Sequence, residues 1–246
     1  NSKTIRVGSV NTVPETQYNR SGTNRFGTVY DVGDTLQEMT CEQQPAFSFT
    51  IDALDQTDQA IEKSAGAALR RQLDEADDVK LVTNAKELGD AFSSGNNAVF
   101  LAVEGGKLLG QDIKRLDALY DAGVRFLTLV WNGHCAIGGS HDTENGLTDF
   151  GKAAVEEMAK VGIIPDISHA SFKSADDIMD ICEKCGVSPI ATHMNSYTVC
   201  PHSRNLTDES FLRLTKLGGV AGVSLCPPHL VAGYKRGDKA APDVIV

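Results

Sequence analysis

Three side chains far apart in the sequence are of the types that hold a catalytic metal: the carboxylate of Glu104 and the imidazoles of His169 and His193. Each closes a short apolar run, "VFLAVE", "GIIPDISH" and "SPIATH". One carboxylate and two imidazoles, with a fourth position left to water, make the open donor set of a catalytic zinc site. Zinc lowers the pKa of its water to about 7 and polarises a carbonyl, which suits hydrolysis of an amide or ester. Asp166 is a further catalytic candidate, placed to fix a histidine tautomer from outside the ligand set. A lone histidine at a strand end is ordinarily a hydrogen-bonded polar residue. The metal reading needs both histidines together with Glu104 and its two following glycines. After the second histidine, "MNSYTVCPHSRNLTDE" sets Arg204 and Asn205 just before a helix start. Arginine is the natural bidentate partner of a carboxylate, although the same spacing fits a surface arginine at a turn.

These residues can meet only if the fold gathers strand ends. The chain alternates between two textures from residue 46 onward. Strands are expected at 46–51, 98–106, 124–133, 163–168, 188–193 and 219–228. Helices are expected over 55–76, 85–95, 112–123, 147–162, 174–186 and 207–218. Thr148 and Thr207 read as N-caps, and Gly95, Gly123, Gly162 and Gly186 as helix stops. Strands separated by helices imply βαβ units and a parallel sheet. The fold class is α/β. The short strands suit a (β/α)8 TIM-type barrel of the metallo-dependent hydrolase kind, incomplete at one or both ends. No Gly-x-Gly-x-x-Gly follows the first strand, which disfavours a dinucleotide fold. In such a barrel the C-terminal strand ends share one mouth. That places Glu104, Trp131 and Asn132, Asp166 to His169, and His193 around it. The whole chain, 1–246, reads as one catalytic domain, with residues 1–45 unassigned.

Bulk properties narrow the partners. The net charge is −10, from 23 Lys and Arg against 33 Asp and Glu. That excludes a basic nucleic-acid-binding face and disfavours an anionic membrane surface. No apolar run is long enough to span a bilayer, and the first residues lack a signal-peptide core. Six cysteines in 246 residues do not make a disulfide framework, so reduced thiols in the cytoplasm are expected. Secretion after removal of a signal is compatible with the same residues. Cys182 and Cys185 form a Cys-x-x-Cys, but they lie in a helical pattern with no second such pair, and read as ordinary helix residues. His134, His141, His202 and His229 read as solvated loop residues.

Five segments carry a closer likeness: "FLAVEGGKLL", "LYDAGVRFLTLVWNG", "GLTDFGKAAVEEMAKVGIIPDISHAS", "SPIATHMNSYTVCPHSRNLTDE" and "GGVAGVSLCPPHL". Over about 98–230 the sequence resembles the membrane (renal-type) dipeptidase family, peptidase family M19 of the amidohydrolase superfamily. The resemblance implies a (β/α)8 barrel with two zinc ions bridged by a glutamate, and zinc-dependent hydrolysis of dipeptides. It implies that Glu104 is the bridge, that His169 and His193 hold one zinc, and that Arg204 takes the substrate's C-terminal carboxylate. Asn132 falls in the loop that borders the substrate pocket of relatives. The implied partner is a small peptide, and a homodimer is compatible.

The chain departs from the family pattern. The family's first-strand His-x-Asp pair is absent, since the six histidines are followed by "CA", "DT", "AS", "MN", "SR" and "LV". The later aspartate of the other metal site would fall beyond Val246, and Trp131 stands where some members have histidine. One zinc rather than two is therefore expected. The open alternatives are a non-catalytic or single-metal relative that binds dipeptide-like ligands, and an amidohydrolase of another small amide.

Overall fold

In a computed structural model of the chain, residues 79–235 are described in full, and of the earlier residues only the backbone of four short strands. The strand expected at 46–51 and the helix expected over 55–76 lie outside the described residues. Two compact units divide the chain, residues 1–127 and 128–246.

In the first unit, β1 (Thr4–Gly8) pairs antiparallel with β4 (Leu36–Thr40), and β2 (Thr23–Asn24) with β3 (Gly27–Thr28). β5 (Val79–Leu81) pairs parallel with β6 (Asn97–Val99) across helix α1 (Ala85–Ser93), a βαβ unit whose first strand the sequence pattern did not announce. Asn84 caps α1 by accepting from the Glu87 N–H. The run 98–106 is two strands, β6 and β7 (Leu101–Glu104), rather than one. Along β7, Leu101 and Val103 are buried while Ala102 and Glu104 are half-buried. The two-residue period of a strand thus directs Glu104 away from the apolar face. A short 3-10 turn (Gly106–Leu109) and α2 (Arg115–Asp121) lead to β8 (Val124–Thr128), which neighbours β7.

The second unit repeats the βα rhythm. Helix α3 (Asp149–Val161) buries Gly151, Ala154, Val155 and Met158, one stripe at helical spacing. Thr148 caps it at Gly151 N, and Gly162 ends it with φ of 94°. This left-handed conformation is free of penalty only for glycine. Strand β9 (Ile164–Asp166) follows, then α4 (Phe172–Cys185), capped by Ser171 and closed by Gly186. Helix α5 (Asp208–Lys216) has Thr207 as its cap, as the sequence suggests.

Some expected strands shrink. β8 stops at Thr128, so 129–133 run on as irregular chain. Segments 188–193 and 219–228 hold only single parallel bridges, Asp166 to Ile190 and Ala191 to Ala221. Pro189 donates no ladder hydrogen bond. At Gly222 a Cβ would lie 2.2 Å from Thr192 O, so this approach of backbones requires glycine. Pro227 opens a last short helix, α6 (Pro227–Leu230), where its missing N–H costs nothing. The fold is α/β with parallel pairing, and among the described residues no closed barrel of strands forms. No helix of the described residues is long and apolar enough to cross a membrane.

Candidate metal centre

Three parallel segments of the second unit end side by side, at Asp166, at Thr192 and His193, and at Gly222 to Ser224. The register is held by Ile167 N to Ile190 O at 2.8 Å and Met194 N to Gly222 O at 2.9 Å. Sequence-expected residues gather here. The rings of His169 and His193 lie 5.0 Å apart between centroids. His169 is buried and has φ of 67°, the sole non-glycine residue with positive φ among those described. Such a backbone costs of order 1–3 kcal/mol and persists where its surroundings over-determine it. Its carbonyl accepts from His141 N at 2.7 Å, and a bridge joins Ala170 to Ser140. These bonds hold the ring over the strand ends.

Hydrogen bonds set which ring nitrogen carries the proton. His169 Nδ1 lies 2.8 Å from the Trp131 carbonyl oxygen, which only accepts, so Nδ1 carries the proton and Nε2 the lone pair. Asp166 is 1% exposed, and its carboxylate accepts from four donors. Ser168 N and Thr192 N reach Oδ1 at 2.9 and 3.0 Å. Thr128 Oγ1 and Thr192 Oγ1 each reach Oδ2 at 2.6 Å. Asp166 therefore touches hydroxyls and amides, and reaches His193 only through Thr192.

Three residues that the sequence pattern assigned to solvent crowd this region. His229 is 7% exposed, and the rings of His202 and His229 lie 5.0 Å apart. His141 stands 6.1 Å from His169 and 6.4 Å from His202, centroid to centroid. His141 and His202 are half-buried. Of the four histidines expected to be solvated, His134 alone is fully exposed. Burial, then the Arg204 charge, pulls His141 down to about 4, against the opposing pull of Asp142. Burial, followed by Arg204, pushes His229 down to about 3, and both also lower His202. Arg204 is 5% exposed, so the spacing that also fitted a surface arginine belongs to a buried one. Its guanidinium charge is felt by three imidazoles that it helps keep neutral.

Asn132 is exposed, and its Oδ1 accepts from His141 Nε2 at 3.1 Å, while His141 Nδ1 meets Ser203 Oγ at 3.0 Å. Asn205, fully buried, donates to Cys200 O at 2.8 Å and His229 O at 2.9 Å and accepts from Asn195 N. Asn195 donates to Ser224 O at 2.9 Å and accepts from Ser224 N. These two amides tie the loop around Arg204 to the segment before α6. In the first unit Glu104 ends β7, followed by Gly105 with φ of 97°. Cys182 is buried in α4, and burial raises its thiol to about 12, while Cys185 is exposed. Both behave as helix residues rather than a reactive pair.

A family model for membrane dipeptidases, peptidase family M19, matches residues 20–241. The chain belongs to this family. Among curated proteins, an uncharacterized protein in the PQQ-III 3' region of Acinetobacter calcoaceticus is 30% identical over 176 residues, 68% of this chain and 55% of that protein. Among solved structures, the M19 metallopeptidase dipeptidase AC aligns with a TM-score of 0.68 at 25% identity, over 76% of this chain and 54% of its own. A metallopeptidase from Rhodobacter sphaeroides, solved with a phosphinate mimic of the dipeptide L-Ala-D-Ala, aligns with a TM-score of 0.62 at 28% identity, over 76% and 54%. The chain thus spans a little over half the length of these relatives. An M19 metallopeptidase implies a metal. His169 and His193 fit one by donor chemistry, as neighbouring imidazoles whose Nδ1 atoms are engaged at fixed partners.

Proposed function

We propose that the chain carries the single-zinc half of an M19 dipeptidase centre, in which Glu104, His169 and His193 hold one zinc ion and the substrate is a dipeptide with a free C-terminal carboxylate. The observation that carries this reading is the paired His169 and His193, with His169 Nδ1 bound to the Trp131 carbonyl so that the ring lone pair lies on Nε2. Bound zinc would supply an acidified water and a polarised amide carbonyl. The protein's own groups do the rest. Arg204 binds the substrate carboxylate, because a buried guanidinium ringed by neutral imidazoles attracts an anion strongly. Asn132 and His141, linked to each other, border the substrate. Asp166 acts as a positioning residue, since all four of its contacts are to hydroxyl and amide donors.

Metal content after purification, with Glu104→Ala in parallel, tests the proposal. Roughly one zinc per chain is expected, weakened at least tenfold by the alanine, as loss of one of three protein ligands requires. A chain that takes up no zinc, or a variant that binds it unchanged, overturns it. A second reading is a single-metal relative that binds dipeptide-like ligands without turnover. Dipeptide binding that depends on Arg204, with no hydrolysis at saturating zinc, would select it.

A further inference from the structure

We propose that Thr192 is a positioning residue that holds His193 in the tautomer needed to ligate metal through Nε2. The inference rests on His193 being a ligand, and its central observation is a proton count at one hydroxyl. Thr192 Oγ1 has one hydrogen to donate and two lone pairs. It sits 2.6 Å from Asp166 Oδ2, 2.8 Å from His193 Nδ1 and 3.2 Å from Ser168 Oγ. A carboxylate only accepts, and the 2.6 Å contact is the short, charge-assisted one, so the threonine proton goes to Asp166. Thr192 then has nothing left to donate to His193. At 2.8 Å the imidazole must be the donor, with its proton on Nδ1 and its lone pair on Nε2. Ser168 Oγ accepts from His193 N at 3.2 Å, which leaves its own hydrogen for the second lone pair of Thr192. The one hydrogen and both lone pairs of Thr192 Oγ1 then each have a use, and the order Asp166, Thr192, His193 runs in one direction.

His169 reaches the same state by another route, through the main-chain carbonyl of Trp131. No side-chain replacement removes that carbonyl, whereas Thr192 can be changed. The fold also supplies a matched control. Thr128 Oγ1 makes the same 2.6 Å bond to the same Oδ2. Thr128→Val and Thr192→Val therefore remove equivalent hydroxyls from Asp166, but the second alone removes the contact to His193.

The full chain with 15N-labelled histidine, free of metal and above pH 7.5, gives the tautomer directly from the ring nitrogen shifts. Zinc affinity by chelator competition gives the consequence. His193 is expected as Nδ1–H in the wild type, in Thr192→Ser and in Thr128→Val, and to lose that state in Thr192→Val. Zinc binding is expected to weaken roughly 10- to 100-fold in Thr192→Val, the usual cost of losing an outer partner of a metal-ligating histidine. It should stay within about threefold of wild type in Thr128→Val and Thr192→Ser, well under that outer-partner cost. Equal weakening in Thr128→Val and Thr192→Val would assign the effect to Asp166 and the packing around it, and overturn the proposal. So would an Nε2–H tautomer at His193 in the wild type, which needs no variant to fold. A wild-type chain with Nδ1–H at His193 but no zinc affinity would refute the metal reading and leave only the hydrogen-bond order of Asp166, Thr192 and His193 standing.

Discussion

Replacing Asp166 by asparagine tests how much of the second unit hangs on one buried carboxylate. Asparagine keeps Oδ1, and with it the bonds from Ser168 N and Thr192 N. It puts an amide NH2 where Oδ2 now accepts from Thr128 and Thr192. Two charge-assisted bonds disappear, and donors then face donors until the hydroxyls rotate. A hydrogen bond to a charged group contributes about 1.5–3 kcal/mol, and rotation of the hydroxyls recovers part of the loss. The expected destabilisation is therefore about 3–5 kcal/mol. Urea unfolding followed by tryptophan fluorescence would report it, since Trp131 is the chain's one tryptophan and its carbonyl is bonded to His169. With a slope of about 3 kcal/mol/M, the midpoint should fall by roughly 1–2 M. A fall below about 0.3 M with the slope unchanged would mean that the four contacts contribute almost nothing, and that Asp166 is not what aligns the three strand ends.

Further expectations come from the same region. His229 and His141 have folded pKa values of about 3 and about 4, below the ordinary 6.5. The unfolded chain takes up these protons first, so stability should be level above pH 7 and fall as pH drops from 6.5 toward 4. Unfolding midpoints between pH 7.5 and 4.5 would check this, and His229→Gln should flatten the slope. Gly151→Ala should destabilise by about 1–3 kcal/mol through overpacking, because its Cβ would lie 1.9 Å from Ile137 O; a thermal melt within 1 °C of wild type would refute it. Arg204→Ala should raise KM for dipeptides at least tenfold, the size of one lost charge-assisted contact, and spare amides lacking a carboxylate. An effect under about threefold would remove Arg204 from the substrate site.

Helix limits were legible because they are decided within one turn. Thr148 and Thr207 each accept from the N–H three residues on, and Gly162 and Gly186 stop their helices by adopting positive φ, whereas α4, expected from 174, starts at Phe172 behind a Ser171 cap that the pattern did not single out. Strand limits were not. The apolar run 124–133 reads as one strand, yet β8 ends at Thr128, because pairing depends on a neighbour that the run itself does not specify. The same holds for 188–193 and 219–228, reduced to single bridges. The histidines divide in the same way. His169 and His193 stand out at the ends of apolar runs, but His141 and His229 carry no such mark. His141 meets Ser203 across 62 residues, a contact with no local periodicity to announce it.

The order of elements, the helix caps and the chemical types at the strand ends follow from the residues alone, since each is a matter of local backbone preference or of which groups can bind a metal. The tertiary structure decided which of those groups touch. It brought His141, His202 and His229 around Arg204, gave Asp166 four donors, and placed one threonine hydroxyl between that carboxylate and His193. Proton positions at such a site depend on distances between residues far apart in the chain, and those distances come into being only when the strands pack.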